Sequence, residues 1–166
     1  MREGVIDMET KVIKVNPINP EEELIKEAAE LIKDGKLVAF PTETVYGLGA
    51  NGLDGEASSR IFTAKGRPQD NPLILHISSL EELKPLVKSI PKEAEMIAER
   101  FWPGPITMIF ERSSLISDVI TAGLDTVAIR MPKHPLPQPL LRPVEFLLLH
   151  LLQIPLEGQA PPKLNM

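Results

Sequence analysis

The sequence contains no cysteine. That excludes a disulfide framework, a thiolate metal site and a thiol nucleophile. It has no apolar run of the ~18–20 residues that a membrane helix needs. Residues 1–14 carry charges throughout and lack the apolar core of a signal peptide. A cytoplasmic, soluble protein is the expectation. Positive charge is also in deficit, with 18 Lys and Arg against 23 Asp and Glu and a net charge of -5. A chain whose whole surface grips nucleic acid is usually basic, so that class is disfavoured, while a local basic cleft stays open. What remains is ordinary globular material: 43% hydrophobic and 25% charged over 166 residues, enough for one domain.

Composition divides the chain near His134. Residues 1–134 hold 37 of the 41 charged residues, and residues 135–166 hold ten leucines and seven of the 17 prolines. The second stretch is poor helix, poor strand and poor linker at once. The first reads as alternating strands and helices. Residues 11–15 form a short β-branched run. Asn19 and Pro20 open a helix whose apolar residues recur through Ile32, and Gly35 ends it. Residues 37–40 suit a buried strand, and Asp54 caps a helix that turns Ile61 and Phe62 inward. Residues 73–77 suit a strand and 79–87 a short helix. Residues 91–102 suit a helix with Met96, Ile97 and Phe101 on one side, and residues 106–110 and 126–131 suit strands. This alternation predicts an α/β or mixed sheet with flanking helices.

Four places could carry chemistry. Pro41-Thr42-Glu43-Thr44-Val45-Tyr46-Gly47-Leu48-Gly49 follows a strand, and its hydroxyls and glycines suit a loop approached closely by a ligand or a plain turn. Lys65 and Arg67 flank Gly66. Two cations there can clamp a polyphosphate, or can simply favour the negative end of a helix. His76 sits on a strand among apolar neighbours, as a structural or a ligand-facing group. Arg130 lies inside a strand, where a charge either faces solvent or pairs with an anion. Phe101-Trp102-Pro103-Gly104-Pro105 reads as a helix stop and packing corner.

Taken in order, residues 41–49, Lys65-x-Arg67, Asn71-Pro72-Leu73 with His76, residues 101–105 and residues 126–131 resemble the YrdC-like family from about residue 11 to 134. The resemblance implies an open, twisted α/β sheet and synthesis of threonylcarbamoyl-AMP for transfer RNA modification. L-threonine, bicarbonate and ATP are joined with release of pyrophosphate, in the presence of Mg2+. It implies that Thr44, His76 and Arg130 bind threonine, with Arg130 on its carboxylate. Lys65, Arg67, Asn71 and Thr126 would bind ATP, with Lys65 and Arg67 as the catalytic cations. No metal ligands from the protein are implied. Further partners are transfer RNA or double-stranded RNA and a downstream threonylcarbamoyl-transferase complex. A double-stranded RNA-binding module, a carbamoyl-transfer domain of a hydrogenase-maturation protein and a non-functional remnant are the competing readings.

The resemblance stops after residues 131–135. The family's next strand and its Pro-Ser-Ala-Asn segment are absent, and residues 135–166 form an atypical tail beside a truncated domain of residues 1–134. Shifting the reading frame after His134 permits codons for the missing segment. The expectation is therefore that residues 136–166 are out-of-frame translation following one lost base. A missing strand would expose a sheet edge, lower stability and weaken catalysis.

Overall fold

The computed structural model describes residues 10–16, 18–41, 46–66 and 71–133, and the backbone of residues 147–152. Six strands form one mixed sheet in the order β1-β2-β6-β3-β5-β4. They are β1 (Val38–Pro41), β2 (Tyr46–Asn51), β3 (Ile74–His76), β4 (Thr107–Glu111), β5 (Thr126–Arg130) and β6 (Leu147–Leu152). Only β3 and β5 pair in parallel, and every other neighbouring pair is antiparallel. The helices are α1 (Glu22–Lys33), α2 (Gly55–Lys65), α3 (Leu83–Leu86), α4 (Lys92–Phe101) and α5 (Asp118–Thr121).

Alternation along the strands gives the sheet two unlike faces, because successive side chains point to opposite sides. On one face Leu48, Ala50, Leu75, Val127, Ile129, Met108 and Phe110 meet Ala57, Ile61 and Phe62 of α2 and Ile120 of α5 in the main core. On the other, Val38 and Phe40 of β1 meet Ile25, Ala29 and Ile32 of α1 in a second, smaller cluster. The remaining positions of that second face include His76, Thr126 and Arg130.

Local chemistry explains α2 well. Asp54 accepts hydrogen bonds from the backbone N–H groups of Glu56 (2.9 Å) and Ala57 (3.1 Å), satisfying two donors that the first turn leaves orphaned. Gly66, at φ +59°, ends the helix in the left-handed conformation that glycine adopts without a Cβ clash. Gly35 does the same just past α1, at φ +73°.

Several sequence expectations need correction. Residues 11–15 form no strand. Val15 packs on the α1 cluster while Val12 is exposed, so the run has no sheet neighbour to pair with. The cap of α1 is Glu21 rather than Asn19, and the turn before it is closed by Asn16, whose side-chain oxygen accepts from Ile18 and Asn19. Gly47 and Gly49 lie within β2 rather than in a loop, opposite Phe40 and Val38. Glycines there leave room on the face that α1 covers. In α4 the side that carries Met96, Ile97 and Phe101 is the outer one: Met96 is 61% exposed, Ile97 40% and Phe101 46%. The inner stripe is instead Ala94, Ala98 and Trp102, four residues apart, where small alanines allow close approach and Trp102 fills the end.

The largest correction concerns the tail. The expected exposed edge is absent, because β6 lies between β2 and β3 and pairs with both. Unpaired backbone donors and acceptors on both neighbours demand a strand there. A leucine-rich run supplies one although its composition is unlike the rest of the chain.

Candidate functional site

The site is set by register. His76 is the last residue of β3 and Arg130 the last of β5, and the two strands run in parallel. They pair directly, so both side chains leave the same face at the carboxyl ends of their strands. Thr107 of β4 stands on the other side of Arg130, and Leu147 of β6 on the other side of His76. Carboxyl ends of neighbouring parallel strands are a common place for ligands in α/β sheets. The backbone at the row is closed by a bond from Ile77 N–H to the Arg130 carbonyl, at 3.0 Å.

Both side chains are buried, His76 completely and Arg130 to 7% exposure. A guanidinium so placed needs acceptors, since desolvating a charge without partners costs several kcal/mol. One acceptor is clear. The Gly104 carbonyl receives a hydrogen bond from Arg130 Nε at 3.3 Å. Gly104 in turn donates its N–H to the Met131 carbonyl at 2.8 Å. The corner holding Gly104 is tied down by Trp102, whose indole N–H donates to the Ile106 carbonyl at 2.7 Å. The corner expected to serve only packing therefore also reaches the candidate site. Its signal in the sequence was the Pro-Gly-Pro spacing, which fixes a shape without announcing what the carbonyl will hold.

The other expected residues fall as follows. Thr126 shares the face of Arg130 but sits four residues away at the start of β5, half-buried, which is ~13 Å along an extended strand. Lys65 occupies the last turn of α2, half-buried, immediately before the Gly66 cap. Asn71 is exposed, two residues before Leu73, whose N–H bonds the Ile120 carbonyl at 2.8 Å. Thr44 and Arg67 lie outside the described residues. The structure thus brings His76 and Arg130 together. Lys65 and Asn71 stand at either end of the connection that leads from α2 into β3.

Among the described residues, no three His, Asp or Glu side chains gather in a way that could hold a metal ion. No helix among them is long and apolar enough to cross a membrane.

Comparison with known proteins gives this geometry a family. The Sua5/YciO/YrdC family model, described as telomere recombination, matches residues 30–153. Threonylcarbamoyl-AMP synthase of Pyrococcus abyssi is 65% identical over 114 residues, spanning 69% of this chain and 34% of the relative. Threonylcarbamoyl-AMP synthase of Bacillus subtilis is 50% identical over 119 residues, spanning 71% of this chain and 34% of the relative. The crystal structure of P. abyssi Sua5 complexed with L-threonine has a TM-score of 0.78 at 57% identity, covering 80% of this chain and 39% of that one. The chain thus spans about a third of the length of these curated relatives. With a family model matched over most of its length and a sheet that superposes on a solved member, this chain belongs to the Sua5/YciO/YrdC family.

Proposed function

We propose that this chain is the substrate-binding part of a threonylcarbamoyl-AMP synthase. The observation that carries the reading is the buried pair of His76 and Arg130 on adjoining strand ends, in a family whose P. abyssi member is solved with L-threonine. In this reading Arg130 meets the threonine carboxylate, a charge-assisted bond worth roughly 1.5–3 kcal/mol. His76 walls the amino-acid pocket and Thr44 hydrogen-bonds the substrate. Lys65 and Arg67 neutralise the ATP phosphates, Asn71 holds the nucleotide and Thr126 touches ATP.

The reaction needs no covalent enzyme intermediate. The threonine amine takes up carbon dioxide and loses a proton to give a carbamate. A carbamate oxygen attacks the α-phosphorus of ATP, the bond to the bridging β-oxygen breaks, and pyrophosphate leaves. The protein's work is to hold the reactants in line and offset negative charge. The ATP phosphates would carry the magnesium ion, with Lys65 and Arg67 offsetting the charge that remains. The adenylate is a mixed anhydride that a transferase complex would pass to transfer RNA, and a cytoplasmic location would go with that role.

The tail reading belongs here too. The Pro-Ser-Ala-Asn segment is missing from residues 135–166. We infer that those residues are out of frame, so turnover by this chain is slow relative to one with the segment restored. The gene sequence across the codons for Lys133 to Leu136 decides this. A frame that cannot yield Pro-Ser-Ala-Asn ends the idea.

Pyrophosphate release tests the function. It should require L-threonine and bicarbonate together, and rise when the missing segment is restored. Salt-sensitive retention of double-stranded RNA with no pyrophosphate release from either chain would favour an RNA-binding module. Neither activity would mark a remnant.

A further inference from the structure

We propose that Gly104 is a positioning residue for Arg130. It holds the guanidinium by a backbone clamp that tolerates no side chain. The clamp has two arms, both reaching the end of β5: Gly104 N–H to the Met131 carbonyl, and the Gly104 carbonyl to Arg130 Nε. A Cβ added at Gly104 would lie 2.3 Å from the backbone oxygen of Phe101. That oxygen belongs to the last turn of α4 and has no rotamer by which to withdraw. Relief to a 3.0 Å contact requires a shift of about 0.7 Å. The Nε contact is already long at 3.3 Å, so a shift of that size carries it out of hydrogen-bond range.

The orientation follows from the shape of arginine. Its five N–H donors lie in one plane. With Nε turned to Gly104, side-on approach of a carboxylate through Nε is blocked, and approach through the terminal amino groups is favoured. The corner is held in turn by the Trp102 indole on Ile106. Packing of Trp102 against the core is thereby connected to the aim of a buried cation 28 residues further along the chain. The effect on ligand selectivity rests on Arg130 meeting the threonine carboxylate; the clamp itself does not.

The experiment uses the full chain with 15N-arginine, the Arg130 signal being assigned by its loss in Arg130→Lys. Arg130 Nε–H should exchange slowly with solvent, and Gly104→Ala should abolish that protection while cooperative unfolding is retained. In calorimetry, preference for L-threonine over L-threoninol, which lacks the carboxylate, should fall by about 10–100-fold in Gly104→Ala. Unchanged protection overturns the clamp. Lost protection with unchanged preference, where Arg130→Lys does weaken threonine binding, overturns the positioning role, as does an equal fall for both ligands, which marks a merely structural one. If Gly104→Ala does not fold, Trp102→Phe loosens the same corner while keeping the glycine, and must raise Nε–H exchange or the clamp is wrong. Should Arg130→Lys leave threonine binding intact, the carboxylate reading fails while the exchange result still judges the clamp.

Discussion

Replacing Asp54 with alanine removes the N-cap of α2, the helix whose last turn carries Lys65. Two hydrogen bonds are lost, from Glu56 N–H at 2.9 Å and Ala57 N–H at 3.1 Å. Glu56 is exposed, so water replaces its bond cheaply, whereas Ala57 is fully buried and its N–H is harder to resolvate. Loss of an Asp cap typically costs ~1 kcal/mol, within 0.5–2. The carboxylate also opposes the positive end of the helix dipole, which adds about 0.3–1 kcal/mol. The expected total is about 1–2 kcal/mol. In a domain of this size each kcal/mol moves the midpoint by about 2–4 °C, so the melting temperature should fall by roughly 2–8 °C. Asp54→Asn separates the two contributions, since it keeps the acceptor and loses the charge. It should fall by less than half as much. Urea unfolding with an unchanged slope is the assay. An Asp54→Ala midpoint equal to the parent's, or an Asn variant as unstable as the Ala one, would refute the capping account.

Three further outcomes follow from the packing. Thr121 is fully buried and its hydroxyl has no hydrogen-bond partner among the described residues, so Thr121→Val should leave the chain as stable or stabilise it by about 1 kcal/mol in urea unfolding; a loss beyond about 1 kcal/mol would show the hydroxyl to be engaged. Met96→Lys should change stability by no more than about 0.5 kcal/mol, because Met96 lies on the outer face of α4; a cost of several kcal/mol would show Met96 to be packed in the core. The Glu21 carboxyl is held below its ordinary value chiefly by the Asn16 backbone N–H it accepts. A carboxyl depressed in the folded state contributes stability above its unfolded pKa, and that contribution is lost as pH falls through the folded pKa. NMR titration should therefore find the Glu21 midpoint below that of an unfolded peptide; a midpoint at or above it contradicts the contact.

What could be read from the sequence follows how local each signal is. The Asp54 cap, the glycine stop at Gly35, and the strands holding His76 and Arg130 depend on a few neighbouring residues, and all appear. The inner face of α4 is not legible from apolarity, because Met96, Ile97 and Phe101 on the outer side are more apolar than Ala94 and Ala98 on the inner one. Helix packing here rewards closeness over hydrophobic bulk, and only Trp102 at the helix end fills the space. Gly47 and Gly49 read as loop residues because hydroxyls and glycines gather just past a strand. Their place in β2 is decided by α1, which packs on that edge of the sheet. β6 is not legible locally, since a run of leucines has neither strand alternation nor helical spacing and the slot between β2 and β3 is created by elements far away in sequence. Within the site, the residues carried by the resemblance include the adjoining pair, but the backbone carbonyl that steadies Arg130 has no side-chain signature.

The central claim is that the buried pair at the ends of β3 and β5 receives the carboxylate of L-threonine. Calorimetric titration of L-threonine into the full chain and into Arg130→Ala tests it most directly. Binding by the parent chain, weakened by at least tenfold in Arg130→Ala and not reproduced by L-threoninol, is the predicted result. Equal binding by both chains, or no preference for threonine over threoninol in the parent, would contradict it.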